Sequence, residues 1–192
     1  SDAEGCWHPG VELHVIDVEG ASWLVPLAQG DQRFFCFKFN GRYWVYLCTA
    51  QGPRTAPITW GRIAGLLSRL TQGVFSPNDV RISMFVDDPI LSLRGNSNVC
   101  RFHAAMLILL WRSLGFPIAF VKASMGKTVD WIGAQISIVP RGVRARAKQD
   151  ILDDLTDDMD AIESSNVVTK NMGRSFARRG SHLAIGTHVA PI

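Results

Sequence analysis

The amino-acid sequence predicts an α+β fold in which an antiparallel sheet packs on helices. Two apolar runs joined by Asn40-Gly41, and two more joined by Asp87-Asp88-Pro89, are typical of β-hairpins. Apolar residues recur at helical spacing in two other segments, residues 60–70 and 99–114. Hairpins and amphipathic helices in one chain therefore indicate the mixed class.

The size of the chain and its composition permit such a fold but leave the function open. The 192 residues are 47% hydrophobic, which is enough to form a buried core. The formal net charge of +3 permits a nucleic-acid partner without arguing for one. The chain begins at Ser1 without an initiator methionine, so we expect a fragment or a processed piece.

The cysteine pattern and the short apolar runs bear on the cellular setting. No C-x-x-C pair occurs among the four cysteines, so neither a zinc ribbon nor a disulfide scaffold is predicted. We expect a reduced, intracellular setting, either cytoplasm or nucleus, and no targeting signal is visible. The longest apolar run, Ala104–Trp111, is far below the roughly 20 residues that a membrane span needs, so we expect no membrane association.

The first half of the chain contains the earliest predicted strands and a helix. Val11–Val18 is β-branched and apolar, and it predicts a core strand that places Asp17 at its edge. Arg33–Phe39 and Arg42–Cys48 form the first predicted hairpin, because Asn-Gly tolerates both positive φ angles of a type I′ turn. A helix is then predicted from Trp60 to Leu70, starting just after Pro57-Ile58-Thr59, with an expected core face of Ile63, Leu66, Leu67 and Leu70.

A second hairpin and a second helix follow. Ile82–Val86 and Ile90–Leu93 predict two strands with both aspartates at the tip between them, although Asp and Pro are also ordinary turn residues. Val99–Leu114 predicts a strongly apolar helix that ends at Gly115, a residue suited to the left-handed C′ position. Strands are expected at 117–121 and 129–138.

The C-terminal part differs in character, and we place a boundary near Pro140 that divides residues 1–140 from 141–192. Basic residues precede an acidic helix with one apolar face, formed by Leu152, Leu155, Met159 and Ile162. A second helix is expected near Val168–Arg179. The acidic residues of the first helix are interpreted as a solvated face rather than a metal site.

Three carboxylates have the pattern that nucleotidyl transfer requires. That reaction uses two divalent ions about 4 Å apart, held by clustered hard carboxylates. Asp17 at a strand end and Asp87-Asp88 at a hairpin tip can meet if their strands are neighbours in one antiparallel sheet. The arrangement is physically sensible but not unique.

Five blocks in sequence order resemble those of the reverse transcriptases of retroviruses and retrotransposons. Ile16–Ala21 resembles a D-x-x-x-A block, and Gln51–Trp60 is similar to a Q-G-x-x-x-A-P-x-x-F block with Trp in the Phe place. Phe85–Asp88 is similar to the Y-x-D-D signature. Gly115–Lys122 matches a G-(x)6-K block, and Trp131–Gly133 resembles a W-x-G hairpin.

The resemblance implies a role for each matching residue. The metal ligands would be Asp17, Asp87 and Asp88, holding two Mg²⁺ ions with Mn²⁺ as a substitute, and Lys122 would be a catalytic general acid. The incoming nucleotide would be contacted by Val18, Gln51, Gly52, Ser22 and Trp23. Template and primer would be contacted by Pro57, Trp60, Trp131 and Gly133.

The implied fold and function follow from the same resemblance. Residues 1–140 would be a polymerase palm with partial fingers, and 141–192 the start of a thumb or connection region. The chain would be part of an RNA-directed DNA polymerase of a retroelement polyprotein. Its partners would be RNA or DNA template, primer, deoxynucleoside triphosphates and further polyprotein domains, namely fingers, thumb and RNase H.

Three departures from the family pattern keep a second function open. Ser22 stands where an aromatic residue usually blocks a ribose 2′-hydroxyl, and Pro53 stands where an apolar Leu or Trp is usual. The sequence also starts only 16 residues before Asp17, so we expect it to lack most of the fingers. The alternative is therefore a decayed or repurposed remnant that acts as a nucleic-acid or protein interaction domain. A generic α+β domain with a fortuitous acidic turn is a third interpretation.

Overall fold

Strands and helices alternate along the chain in the computed structural model, which describes residues 10–50, 52–53, 55–140, 142–165, 167–170, 173–174 and 189–190. The strands are β1 (Val11–Val15), β2 (Cys36–Phe39), β3 (Arg42–Val45), β4 (Val80–Phe85), β5 (Asp88–Arg94), β6 (Ser124–Gly126), β7 (Thr128–Trp131), β8 (Ala134–Val139), β9 (Gly142–Ala147) and β10 (Val189–Ala190). The helices are α1 (Ala56–Val74), α2 (Ser97–Ser113) and α3 (Gln149–Ser165). The predicted α+β class is confirmed.

A central antiparallel sheet has the strand order β4-β5-β1-β6. Its register pairs Val15 with Ile90 and Phe85 with Asp88, so the predicted β4–β5 hairpin is confirmed. The strand that begins at Val11 ends at Val15, earlier than predicted, and the chain continues beside β5 in irregular backbone. Since successive strand residues face opposite sides, this sheet has two faces to cover.

Helices α1 and α2 cover one face of the central sheet. Leu91 and Leu93 of β5 belong to the same buried cluster as Leu67 of α1 and Leu107 of α2. The two helices are also joined where the indole Nε1 of Trp111 donates to Thr71 Oγ1 at 2.8 Å. Gly115 follows α2 with φ 88°, as predicted for the C′ position.

The predicted core face of α1 is wrong in part. Leu67 is buried as predicted and Ile63 is partly buried, but Leu66 and Leu70 are exposed. The buried positions of the helix are Ala56, Trp60, Ala64, Leu67 and Thr71. These positions recur every three or four residues, as a buried helix face requires.

A second antiparallel sheet, with the order β10-β9-β8-β7, covers the other face. Val15 and Ile90 of the central sheet pack with Val129, Ala134 and Ile136 of the second sheet. The single strand expected at 129–138 is therefore wrong: β7 and β8 form a hairpin. The two residues between them, Ile132 and Gly133, have φ angles of 43° and 81°.

The strand expected at 117–121 is also wrong. Ile118 forms an isolated antiparallel bridge with Val18, and Phe120–Lys122 is a 3-10 turn. This turn lies between the bridge and β6, so it brings residue 122 back towards the end of β1. The geometry of the candidate site depends on this reversal.

The first predicted hairpin is confirmed, and its strands form a separate two-stranded sheet. Strands β2 and β3 pair with each other, and Asn40 and Gly41 have φ angles of 49° and 72°, as a type I′ turn requires. Every residue of both strands is exposed.

The C-terminal part contributes α3, whose Leu155 is buried while Met159 is exposed. The second helix predicted near 168–179 falls largely outside the described residues. Pro140 lies in the turn between the paired strands β8 and β9, and the division of the chain there stays a prediction. Within the described residues, no helix combines the length and the apolar character needed to cross a bilayer.

Candidate functional site

The β4–β5 hairpin presents two of the predicted acidic residues in the segment Val86–Asp88, called here the acidic turn. The prediction that both lie at the tip is correct for Asp87 only, because Asp88 is the first residue of β5. Because Phe85 pairs with Asp88, the turn itself consists of Val86 and Asp87. Val86 has φ 55°, a left-handed conformation that is unfavourable for a β-branched residue. Such a conformation persists only where the surroundings hold it, at a cost of about 1–3 kcal/mol.

Two hydrogen bonds hold this strained turn. The indole Nε1 of Trp60, on α1, donates to the carbonyl oxygen of Val86 at 2.8 Å. The backbone N–H of Val18 donates to the carbonyl oxygen of Asp87 at 3.4 Å. A helix and the extension of β1 therefore fix the position of the two aspartates.

A third contact fixes the first residue of β5. The indole Nε1 of Trp131 donates to the carbonyl oxygen of Asp88 at 3.0 Å. Trp131 is the last residue of β7, so the second sheet reaches the acidic turn through this side chain. All three contacts are to backbone carbonyls, which leaves both carboxylates available for other partners.

Asp17 lies beside the turn because β1 continues along β5. The N–H of Ile16 donates to Pro89 O at 3.3 Å, and extending the β1–β5 register places Asp17 opposite Asp88. The carbonyl of Asp17 accepts the N–H of Ala119 at 2.9 Å on its other side. Asp17 is thus held between two segments, and its side chain is 11% exposed.

Lys122 forms an ion pair with Asp17. The distance from Lys122 Nζ to Asp17 Oδ2 is 2.5 Å, and the lysine side chain is 72% exposed. The hydrogen bond to Asp17 raises the pKa of Lys122 above its ordinary value, and the charges of Asp88 and Asp87 act in the same direction. The ammonium form is therefore stabilised at this position.

The three carboxylates act on one another electrostatically. Burial raises the pKa of Asp88, the neighbouring charges of Asp87 and Asp17 raise it further, and Lys122 partly opposes them. Like charges are therefore concentrated at the end of β1 and the tip of the β4–β5 hairpin. A cation bound here would relieve their repulsion.

An open cleft of about 690 Å³ lies over these groups. Its lining includes Asp17, Asp87 and Lys122, together with the irregular chain after β1 and the 3-10 turn. Asp88 is not part of that lining. The cleft is large enough for a nucleotide-sized ligand, since small-molecule sites typically occupy about 300–1,000 Å³.

The predicted nucleotide contacts are only partly gathered at this cleft. Val18, Ser22 and Trp23 line it, with Ser22 half-buried and Trp23 exposed. Gly52 is exposed, and it is not one of the described residues that line the cleft. Gln51 lies outside the described residues.

The residues predicted to contact template and primer have varied positions. Pro57 is exposed in the first turn of α1, and Gly133 is half-buried in the β7–β8 turn. Trp60 is only 2% exposed, so its ring is a core element and offers no face to a base. Trp131 is half-buried and, like Trp60, binds the acidic turn.

The carboxylates suit a hard divalent cation in their chemistry but do not form a complete set of ligands. Carboxylate oxygens are the ligands that Mg²⁺ prefers, usually one or two together with phosphate and water. Within the part of the chain that the structure describes, no three His, Cys, Asp or Glu residues form a group that could hold a metal. Lys122 instead neutralises Asp17.

Sequence reasoning missed several residues of the site. Glu19, Phe120 and Val121 also line the cleft, and Phe120 and Val121 lie inside the G-(x)6-K block already noted. The G-(x)6-K block could therefore have pointed to Phe120 and Val121 as site residues. The contacts of Trp60 and Trp131 to the acidic turn had no signal, because they join elements distant in sequence.

Comparisons with known proteins show the class of fold. No sequence family and no curated protein matches the chain. Among solved structures, the foamy viral protease-reverse transcriptase in complex with RNA/DNA hybrid matches with a TM-score of 0.59 and 14% identity, over 94% of this chain and 28% of that one. The likeness is at the level of the fold.

Two further structures of the foamy viral protein agree. The form named dRH, in complex with ds DNA, gives a TM-score of 0.59 at 13% identity, covering 94% of this chain and 36% of that chain. A third structure, the foamy viral protease-reverse transcriptase in complex with dsDNA, gives a TM-score of 0.60 at 15% identity and covers 94% of this chain and 43% of that chain. The chain thus has a reverse-transcriptase-like fold, consistent with the predicted palm, and spans less than half the length of these chains.

The contact from Trp60 to the acidic turn leads to a stability prediction. Trp60→Phe keeps an aromatic ring in the core but removes the N–H that holds Val86, so we expect a loss of roughly 1–3 kcal/mol in the free energy of unfolding. Trp44→Phe, at a half-exposed position, is the matched control and should change it by less than about 0.5 kcal/mol. Urea denaturation measures both, and equal effects would show that the Trp60 hydrogen bond does not hold the turn.

Proposed function

We propose that this chain is the metal-binding core of an RNA-directed DNA polymerase that extends a primer on an RNA or DNA template by two-metal nucleotidyl transfer. The observation that carries the proposal is the convergence of the end of β1, the β4–β5 turn and Lys122 on one cleft, within a reverse-transcriptase-like fold. These are the positions of three of the five motif blocks in the sequence.

The acidic groups have distinct proposed tasks. Asp17, Asp87 and Asp88 would hold two Mg²⁺ ions, or Mn²⁺ in their place. Bound ions would lower the pKa of the primer 3′-hydroxyl and offset the charge of the triphosphate. The charges of Asp87 and Asp17 beside Asp88 support cation binding, because a bound cation would offset their repulsion.

Lys122 is proposed to move a proton to the departing pyrophosphate. The raised pKa keeps a proton on Nζ, and the exposed side chain reaches into the cleft lined by Asp17 and Asp87. A general acid must carry its proton when the leaving group departs. The contact with Asp17 would have to be exchanged as the carboxylate takes up a cation.

The nucleotide is proposed to lie against the chain that follows β1. Ser22 and Trp23 line the cleft there, and Val18 contributes through its backbone because its side chain is buried. A half-buried Ser22 in place of a bulky ring leaves room beside the sugar. Discrimination against ribonucleotides is therefore expected to be weak.

The second candidate function is an interaction domain that retains the fold without turnover. What favours it is that Lys122 already neutralises Asp17 and that the described acids do not form a three-ligand metal group. In that case the cleft would bind nucleic acid or a protein without catalysing a reaction.

The chain spans only 28–43% of the matched viral chains, so we propose that it works as part of a longer polymerase. Template, primer and deoxynucleoside triphosphates are proposed partners, as are fingers, thumb and RNase H domains in a longer polyprotein. Residues that orient the triphosphate would come from such domains. Positioning of reactants is worth about 7–11 kcal/mol of barrier, so this chain alone is expected to be slow.

Primer extension on an RNA template tests the proposal. Asp87→Asn should abolish extension in Mg²⁺ and in Mn²⁺, because a neutral amide is a poor ligand for a hard cation. Asp79→Asn is the matched control, since Asp79 is an exposed aspartate just before β4, and it should leave the rate unchanged. The assay is run with this chain and with a longer chain that contains it.

Each outcome of that assay separates the two candidates. Extension that is lost in Asp87→Asn and kept in Asp79→Asn supports the polymerase. Equal extension by all three proteins would mean that the acidic turn is not the site. Absence of extension from both the short and the longer chain would favour the interaction domain.

The proposed role of Lys122 gives a second prediction. Lys122→Ala should slow single-nucleotide incorporation by about 10²- to 10⁴-fold while leaving template affinity nearly unchanged, as expected when a general acid is removed. Lys127→Ala removes an exposed lysine near by and should have little effect on the rate. Single-turnover kinetics gives the rate and fluorescence anisotropy the affinity. A loss of affinity without a loss of rate would make Lys122 a phosphate contact.

A further inference from the structure

The first hairpin of the chain concentrates aromatic residues. Residues 32–48, called here the aromatic hairpin, contain four of the ten phenylalanines of the chain and both of its tyrosines. Strands β2 and β3 pair only with each other among the described strands. Its base is joined to the preceding chain, where the N–H of Leu27 donates to Leu47 O at 2.8 Å and Pro26 bridges to Cys48, while its other end is exposed.

The rings of this hairpin are exposed to solvent. Tyr43 is 78% exposed, Phe34 71% and Phe39 60%, and Trp44 is half-exposed. The register places Phe37, Phe39 and Trp44 on one face of the hairpin and Tyr43 with Lys38 on the other. Exposed apolar surface such as that of the first face marks an interaction site.

The charges of the hairpin indicate the chemistry of its partner. Arg33, Lys38 and Arg42 lie among the rings, and residues 32–48 contain no aspartate or glutamate. The guanidinium carbon of Arg33 is 4.7 Å from the centroid of the Phe34 ring, and Lys38 Nζ is 5.7 Å from that of Tyr43. Cations interleaved with aromatic rings complement a polyanion that carries flat bases.

A row of rings connects the hairpin to the cleft. Trp23 lines the cleft, and its ring centroid is 5.6 Å from that of Tyr46. The Tyr46 ring is 4.9 Å from that of Phe37, which is paired across the strands with Trp44. A strand that leaves the cleft would therefore meet aromatic surface along this row.

We propose that the aromatic hairpin binds single-stranded nucleic acid by base stacking, with its cations contacting the phosphates. A single strand is favoured over a duplex because the ring faces of duplex bases are already stacked on one another. The inference rests on the proposed function in one respect, the assignment of this strand as the template. Binding itself requires neither the carboxylates nor a metal.

The test is fluorescence anisotropy of the full chain in EDTA, with a labelled 12-nucleotide oligo(dT) and a duplex of equal length. Trp44→Leu and Phe39→Leu keep apolar bulk but remove a ring from the face that continues to Tyr46 and Trp23, and each should weaken oligo(dT) binding by about 5-fold or more. Phe102→Leu is the matched control, because Phe102 on α2 is as exposed as Phe39, and it should bind like the wild type. Arg42→Gln should reduce the salt dependence of binding. Circular dichroism verifies that each variant is folded.

Several outcomes would overturn the inference. Wild-type affinity in both ring variants would show that the hairpin does not stack on bases, and tighter binding of the duplex would show that it is not a single-strand site. A wild-type dimer that Trp44→Leu converts to a monomer, without change in oligo(dT) affinity, would assign the surface to a second copy of the chain.

Primer extension is measured separately, so the two proposals fail in different ways. Extension together with unchanged oligo(dT) binding in the ring variants would overturn only the inference about the hairpin. Weakened binding in those variants, with no extension from the short or the longer chain, would overturn only the polymerase and leave the hairpin as a nucleic-acid surface.

Discussion

The candidate site depends on one strained turn and the groups that hold it. Val86 adopts a left-handed backbone that a β-branched residue disfavours, and the turn presents Asp87 beside Asp88. The indole of Trp60 and the N–H of Val18 bind its two carbonyls, so the core between α1 and the central sheet sets the position of the carboxylates. The same contacts therefore stabilise the fold and position the proposed metal ligands.

Charge is the second constraint on this region. Asp17 is buried between β5 and the chain at Ala119, and the acidic turn adds like charge beside it. Lys122 offsets that charge because the 3-10 turn brings it back to the end of β1. Burial raises the pKa of Asp88, and the charges of Asp87 and Asp17 raise it further. A bound cation would offset that repulsion, whereas the ion pair of Lys122 with Asp17 competes with cation binding.

Local patterns predicted local structure well. Asn40-Gly41 and Asp87-Asp88-Pro89 marked their hairpins because turn residues act within a few positions, and the spacing of apolar residues located α1 and α2. The predicted core face of α1 was wrong in part: Leu67 is buried, but Leu66 and Leu70 are exposed, and Trp60, Ala64 and Thr71 are buried instead. The bridge of Ile118 to Val18 and the role of Trp60 depend on long-range contacts, which no local pattern encodes. The site residues were proposed from motif blocks, and their roles remain predictions.

The proposed chemistry requires that the carboxylates at the end of β1 and at the β4–β5 turn bind divalent cations. Crystals grown with Mn²⁺ and a non-hydrolysable deoxynucleoside triphosphate would reveal such binding, since anomalous scattering locates manganese without reference to activity. An anomalous peak is expected about 2.0–2.3 Å from carboxylate oxygens of Asp17 and Asp87, with Lys122 displaced from Asp17. A structure in which Lys122 keeps its contact with Asp17, and manganese binds only elsewhere, would contradict it.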